Sequence, residues 1–297
     1  MAVLVLGGTG FIGSQLVTQL QQRGEQVRLV TRNPQRAQQL FPQAQVFPLA
    51  ALAEAVDGCT GVVNLAGEPI IGRWTVARKQ AIQESRRGGT QRLVQAIAQA
   101  QVRPQVLVNA SAIGYYGASE TAVFREDSPP GQDFLAQVCQ EWEQAAQPGQ
   151  GVRLVIFRIG IVLGMGGALE RILPPFRAFL GGPIGSGQQW FSWIHQTDMV
   201  NLLLAALDDP AWTGVYNATA PQPVRMAQLC QTLGQVLQRP SWLPVPGMVL
   251  ELLLGDAAQV ILTGQQVLPQ RVQAMGFCYQ YPTLTPALEN LFHPGLS

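Results

Sequence analysis

The chain has 297 residues, of which 47% are hydrophobic and 12% charged, with a formal net charge of +1. That length accommodates one large α/β domain with an appended lobe, and the balance is that of a globular chain, not a disordered one. So even a charge provides no basic field for nucleic acid or an anionic bilayer, and the longest apolar runs, broken by Arg158 and Glu251, fall short of the roughly 20 residues of a spanning helix.

The first half alternates short β-branched runs with longer amphipathic segments. "AVLVLG" (2–7) runs straight into a glycine loop and reads as a first strand with no basic leader before it. Further strands are expected over 26–31, 44–49, 61–66, 104–111 and 152–158, with one long helix over 75–101 that Gly88 and Gly89 weaken in its middle. Continuous apolar strands alternating with helices predict a doubly wound parallel sheet, the Rossmann class. After "GIVLGMGGALERI" the rhythm changes: 173–190 is a Pro- and Gly-rich loop, 213–221 a strand returning to the sheet, and 244–277 a set of short helices. The expected division is a nucleotide-binding domain over 1–165, with 198–221 returning to it, and a small, mostly helical C-terminal lobe from about 166–197 and 222–297.

"VLVLGGTGFIGSQLVTQL" places Gly7, Gly10 and Gly13 between a strand and a helix. The first glycine allows the sharp turn, the second lets backbone N–H groups approach a pyrophosphate, and the third lets helix and strand pack closely. Thr9, Phe11 and Ile12 lie between them and join the candidate cofactor contacts. The second strand ends "RLVTRNP", with Arg32 where an acid would select NAD(H), so a 2′-phosphate and NADP(H) are favoured, NAD(H) being the lesser choice. "VVNLAGEPI" (62–70) follows its strand with Ala66 and Gly67, a turn small enough for a nicotinamide ribose to pass.

The four cysteines share no close spacing and the histidines number two, His195 and His293, so neither a metal site nor a disulfide framework is expected and a reducing, cytoplasmic setting fits. His195 reads as a structural hydrogen-bonder. Trp190, Phe191 and Trp193 suit either a substrate cleft or core packing.

The strings "GGTGFIG", "VVNLAGE", "NASAIGYYG", "FSWIHQTDMV" and "YNATAP", in this order, resemble the extended or atypical short-chain dehydrogenases/reductases of the NAD-dependent epimerase/dehydratase type. More narrowly, "NLAGEPI", "EDSPPG", "DFLAQVCQEWE", "LPPFRAFLGGPIGSGQQWFSWIH" and "TGQQVLPQR" are similar to the SDR39U1-type epimerase family, sometimes labelled cell division inhibitor; the resemblance covers essentially the whole chain. It implies a Rossmann domain holding NADP(H), with Thr31, Arg32, Leu65, Ala66, Arg86 and Ile159 at cofactor-contacting positions. It implies no particular substrate.

Typical members of the superfamily carry Tyr-x-x-x-Lys, in which lysine lowers the tyrosine pKa so that the phenol exchanges a proton while hydride moves. Lys79 is the sole lysine and Thr75 stands four residues before it, so the pair does not exist in this chain. In "DFLAQVCQEWE" Leu135 takes the tyrosine place and Cys139 the lysine place. Replacement candidates are Ser111, at the end of its strand, and Tyr115 and Tyr116 beyond it, each of which also suits strand capping or packing. Glu68 is a candidate base or a locally paired carboxylate. The expected activity is an NADP(H)-dependent oxidoreductase or epimerase acting on a small molecule. The alternative is a catalytically silent NADP(H)-binding regulatory or scaffold protein linked to cell division. A homodimer through helices over 75–101 and 133–147 is a further expectation.

Overall fold

The structure is a computed structural model and describes residues 1–293. Seven strands form one parallel sheet: β1 (Ala2–Leu6), β2 (Gln26–Thr31), β3 (Gln45–Pro48), β4 (Gly61–Asn64), β5 (Val106–Ala112), β6 (Arg153–Ile159) and β7 (Gly214–Ala218), in the order 3-2-1-4-5-6-7. All pairs are parallel, so each strand must be buried on both faces. Alternation along β1 serves both layers: Val3 and Val5 pack with Leu16 and Leu20 on one side, while Leu4 and Leu6 pack with Leu93 and Ile97 on the other.

Helix α1 (Phe11–Gln22) follows β1, and α2 (Val76–Gln99) spans the predicted long helix unbroken. Gly88 is buried in its middle, and Thr90 Oγ1, two residues along, accepts hydrogen bonds from Asn64 Nδ2 and Trp142 Nε1, both at 3.0 Å. Tertiary contacts therefore outweigh the poor helix propensity of two adjacent glycines. Helix α3 (Phe134–Ala145) packs against α2, its start capped by Asp133, whose Oδ1 accepts from Ala136 N at 2.9 Å.

The C-terminal region is helical, as expected. It contains α4 (Gly167–Arg177), α6 (Met226–Leu237) and α7 (Gly247–Leu254), with short strand pairs between them, whereas α5 (Gln196–Asp208) packs with α1 in the core of the seven-stranded sheet. Leu163, Leu169, Phe176, Trp193, Leu229 and Leu288 share a core of their own. The loop expected from residue 173 onward begins later, because α4 carries Pro174 and Pro175 inside it. Leu173 and Phe176 are buried on one side of that helix, and their packing holds a turn that two prolines would otherwise open. No described helix is long and apolar enough to cross a membrane.

The sheet order reverses between β1 and β4, and the crevice outside the carboxyl ends of these strands is where this architecture binds ligands.

Candidate functional site

The glycine loop makes a cradle that only hydrogen can line. Gly7 has φ +78°, and a Cβ there would lie 2.8 Å from the Leu65 carbonyl; a Cβ on Gly13 would lie 2.2 Å from Gly7 O. Gly10 N donates to Gly7 O at 2.9 Å, and α1 then begins at Phe11 with neither a side-chain cap nor an acid in its first turn. Its first N–H groups are left for an anion. Thr9 sits within this turn, Ile12 packs into the main core, and the Phe11 ring fills the space over Gly166 and Gly167, joining the loop to the C-terminal region. Leu65 and Ala66 follow β4 and lie beside Gly7, and Gly67 after them lies against the Arg86 guanidinium.

Thr31 ends β2, and its Oγ1 accepts from Asn33 N at 3.2 Å. The Arg32 side chain is 77% exposed and its Nη1 donates to Glu68 Oε1 at 2.6 Å. Because β1 lies between β2 and β4, this pair spans the carboxyl end of β1, directly across the glycine cradle. Glu68 also faces Arg78 at 3.4 Å, and the Arg32 hydrogen bond holds its carboxyl below the usual range. Glu68 as a base of raised pKa is thereby corrected: its neighbours are cations.

Arg86 is held beneath Gly67, donating to the Glu68 carbonyl at 3.1 Å and the Ile82 carbonyl at 3.3 Å, with its guanidinium 5.1 Å from the Trp142 ring centre. It forms part of the wall of a cavity of about 690 Å³, together with Ala112 at the end of β5 and Ile159 and Gly160 at the end of β6. Leu135 and Cys139 line the same cavity. These two stand where the resemblance placed the absent tyrosine and lysine. Burial, with Glu143 nearby, pushes the Cys139 thiol up to about 12, so it stays protonated and is no thiolate nucleophile at neutral pH.

Ser111, Tyr115 and Tyr116 are not on that wall. Successive residues of a strand point to opposite faces, and here Ala112 faces the cavity while Ser111 faces α3 and donates to Glu143 Oε1 at 2.7 Å. Glu143 in turn accepts from Arg158 Nε at 2.8 Å and Nη2 at 2.9 Å, a bidentate pair with side chains 11% and 5% exposed. Arg158 Nη1 donates to the Tyr116 hydroxyl at 3.0 Å, and that hydroxyl donates to Asn217 Oδ1 at 2.6 Å. The Arg158 guanidinium lies 3.4 Å from the Tyr115 ring centre. Burial pushes the Tyr116 phenol up to about 12, the opposite of what an acid–base tyrosine needs. Ser111 and Tyr116 thus meet in one buried polar network behind β5, with the half-buried Tyr115 ring stacked on it, built on an Arg158–Glu143 pair that sequence reading did not single out. The available signal was a charged residue inside the apolar run "VRLVIFRIG".

Trp190 and Phe191 line the cavity, whereas Trp193 is fully buried in the second core and donates Nε1 to Gln222 O at 3.1 Å. His195 is buried with its ring centre 4.0 Å from that of Tyr281; Nδ1 accepts from Thr197 N at 3.2 Å, which caps α5. Burial lowers its pKa to about 4. Also absent from the sequence reading were Ile70, Ile71 and Trp74 on one side of the cavity and Leu250, Leu253 and Leu254 of α7 on the other.

A glycine loop under a helix N-terminus, with a cavity at the ends of β5 and β6, is the architecture of an extended short-chain dehydrogenase-like protein. Comparison with known proteins agrees. Residues 3–218 match the model of the NAD dependent epimerase/dehydratase family, and residues 245–291 match a domain of unknown function, DUF1731. The chain is 51% identical over 298 residues to an Arabidopsis thaliana protein named "Epimerase family protein SDR39U1 homolog, chloroplastic", covering 97% of this chain and 86% of the relative. It is 41% identical to the Homo sapiens "Epimerase family protein SDR39U1", covering 98% and 99%. The crystal structure of the human protein (isoform 2) with NADPH superposes with a TM-score of 0.92 at 40% identity, covering 98% of this chain and 99% of that one. A Corynebacterium glutamicum structure named as a nucleoside-diphosphate sugar epimerase superposes at 0.78 with 28% identity, covering 98% of this chain and 58% of that one. The chain belongs to the NAD dependent epimerase/dehydratase family and, within it, to the SDR39U1-type epimerase family.

Proposed function

We propose that this protein is an NADP(H)-dependent oxidoreductase that exchanges hydride with a small molecule held in the 690 Å³ cavity, without a phenolic proton relay. The observation that carries the reading is the position of that cavity. It opens where Arg86, Ala112, Ile159 and Gly160 converge at the ends of β5 and β6, beside the crevice that suits a dinucleotide, and it is not filled by side chains. NADPH as cofactor is supported by the fit of the glycine cradle, by Arg32 as the cation for a 2′-phosphate, and by the NADPH bound to the human relative.

When bound, the nicotinamide supplies or accepts the hydride. The N–H groups at the start of α1 would hold the pyrophosphate, and Arg32 would leave Glu68 for the 2′-phosphate. Arg86, anchored on two backbone carbonyls, fixes the floor beneath Gly67. Leu135 and Cys139 give the wall no group that ionises at neutral pH, so the proton that accompanies the hydride would be exchanged with solvent that reaches the cavity. A second reading, an NADP(H) sensor or scaffold without catalysis, is favoured by the same two residues and by the engagement of Ser111 and Tyr116 elsewhere.

Calorimetric titration of the cofactor-stripped protein tests the cofactor step. NADPH is expected to bind at micromolar concentration and Arg32→Glu to weaken it by roughly tenfold or more, with a much smaller effect on NADH. A protein that ignores NADPH at millimolar concentration would sink the proposal. For any substrate found, Ser111→Ala and Tyr116→Phe should leave turnover nearly unchanged; abolition by either without loss of fold would return those residues to the reaction.

A further inference from the structure

We propose that the cavity takes a largely apolar small molecule, not a nucleotide sugar or another polyol phosphate; this rests on the reading that hydride is exchanged at this cavity. The walls come from many separated parts of the chain, and hydrocarbon dominates them: Ile71 before α2, Leu135 on α3, Ile172 on α4 and Leu250 on α7 are typical. Among the described residues that line it, the charged ones are Arg86, Asp133 and Arg171. A diphosphate needs several converging cations or free N–H groups, and a sugar needs a ring of unoccupied donors and acceptors.

Several of the polar groups on the wall are already engaged. Ser192 Oγ donates to Gln265 O at 2.8 Å and accepts from Val267 N at 2.9 Å. Gln265 Nε2 donates to Ile113 O at 2.8 Å, and Trp190 Nε1 to Glu120 O at 2.9 Å. Asp133 caps α3, and Arg86 is held by two carbonyls. Each bond removes a group that a hydroxylated ligand would use, and a polar ligand on such a wall would lose its water without replacement. Arg171 is exposed, at the rim.

The outer wall has the same character. Helix α7 turns Leu250 and Leu254 to the cavity, yet Met248 and Leu252 on it are 79% and 81% exposed. A helix apolar on both sides is a barrier that hydrocarbon crosses more readily than charge does. The volume suits a molecule of drug or fatty-chain size.

The test uses the full-length protein saturated with NADP⁺ and titrated by calorimetry with hexanol, octanol and decanol, with UDP-glucose as the polar probe. Affinity is expected to rise by roughly fourfold per methylene through the series, as for transfer of CH₂ out of water, and UDP-glucose is expected not to bind. Leu250→Glu should weaken decanol at least tenfold while NADP⁺ affinity holds, and Leu250→Met should restore it. UDP-glucose binding more tightly than decanol, an affinity that does not change with chain length, or a Leu250→Glu protein that binds decanol normally would each overturn the proposal. Cofactor affinity, read in the same samples, separates the two ideas. Loss of NADP⁺ binding counts against the oxidoreductase reading, whereas a cofactor-loaded protein that refuses the alcohols counts against the apolar substrate alone.

Discussion

Under the proposed function, the two sides of the sheet's carboxyl edge recognise by different physics. On the β1–β2 side, the proposed phosphate cradle is three glycines, a helix start and one arginine, all between residues 7 and 32. On the β5–β6 side, the cavity is assembled from hydrocarbon contributed by segments between residues 70 and 265, none of which is distinctive alone. Recognition of phosphate demands particular backbone conformations at fixed spacing, and those leave a signature; burial of an apolar ligand demands only volume and a dry wall.

The comparison breaks most readily at Gly13. A Cβ 2.2 Å from Gly7 O cannot be relieved by a rotamer change, so Gly13→Val is expected to reduce NADPH affinity by about a hundredfold or more, read by calorimetry, while the distant cavity keeps its apolar ligand affinity. Unchanged NADPH binding would mean that the cradle is not the cofactor site. Next in size, Glu143→Gln leaves the Arg158 guanidinium buried beside a neutral partner. It should lower unfolding free energy by about 3 kcal/mol in urea and leave NADPH affinity intact, as expected of a scaffold lying behind the site. An affinity loss larger than the stability loss would bring the network into the site.

A pH effect of similar size belongs to His195. Its folded pKa, about 4, lies below the ordinary histidine value of 6.5, so the unfolded chain takes up the proton first and stability falls as pH drops from 6.5 to 4. The expected loss is about 3 kcal/mol, measured by urea unfolding across that window, and His195→Gln should flatten the slope. Asp198 works the other way, because its raised pKa favours the folded form in acid, so the decline should weaken toward the bottom of the window. The smallest expected effect sharpens the cofactor side alone. Glu68→Gln frees Arg32 for a 2′-phosphate and should tighten NADPH by about threefold with NADH unchanged; weaker NADPH binding would show that Glu68 helps to hold the cofactor.

Much of the sheet was readable because parallel strands buried on both faces are continuous apolar runs: β2 occupies its predicted span, and β5 and β6 lie within two residues of theirs. The site was less readable where a single residue decides. Ending β5 at Ala112 and not at Ser111 puts the serine behind the strand and alanine before the cavity, and no local pattern fixes that phase. The Arg158–Glu143 pair joins a strand and a helix through tertiary packing alone. The α7 wall looked like any short apolar helix because the composition that covers a core also lines a cavity.

The most direct test of the account is a crystal structure of this protein with NADPH. The account predicts the pyrophosphate at the α1 N-terminus, the 2′-phosphate on Arg32, and the nicotinamide ring beside Arg86 and Ile159 with the cavity between Leu135, Ile172 and Leu250 still open beyond it. A nicotinamide turned away from that cavity, or sealed from it by the side chains of α3 and α7, would contradict hydride exchange there and leave the nucleotide as a signal, not a reactant.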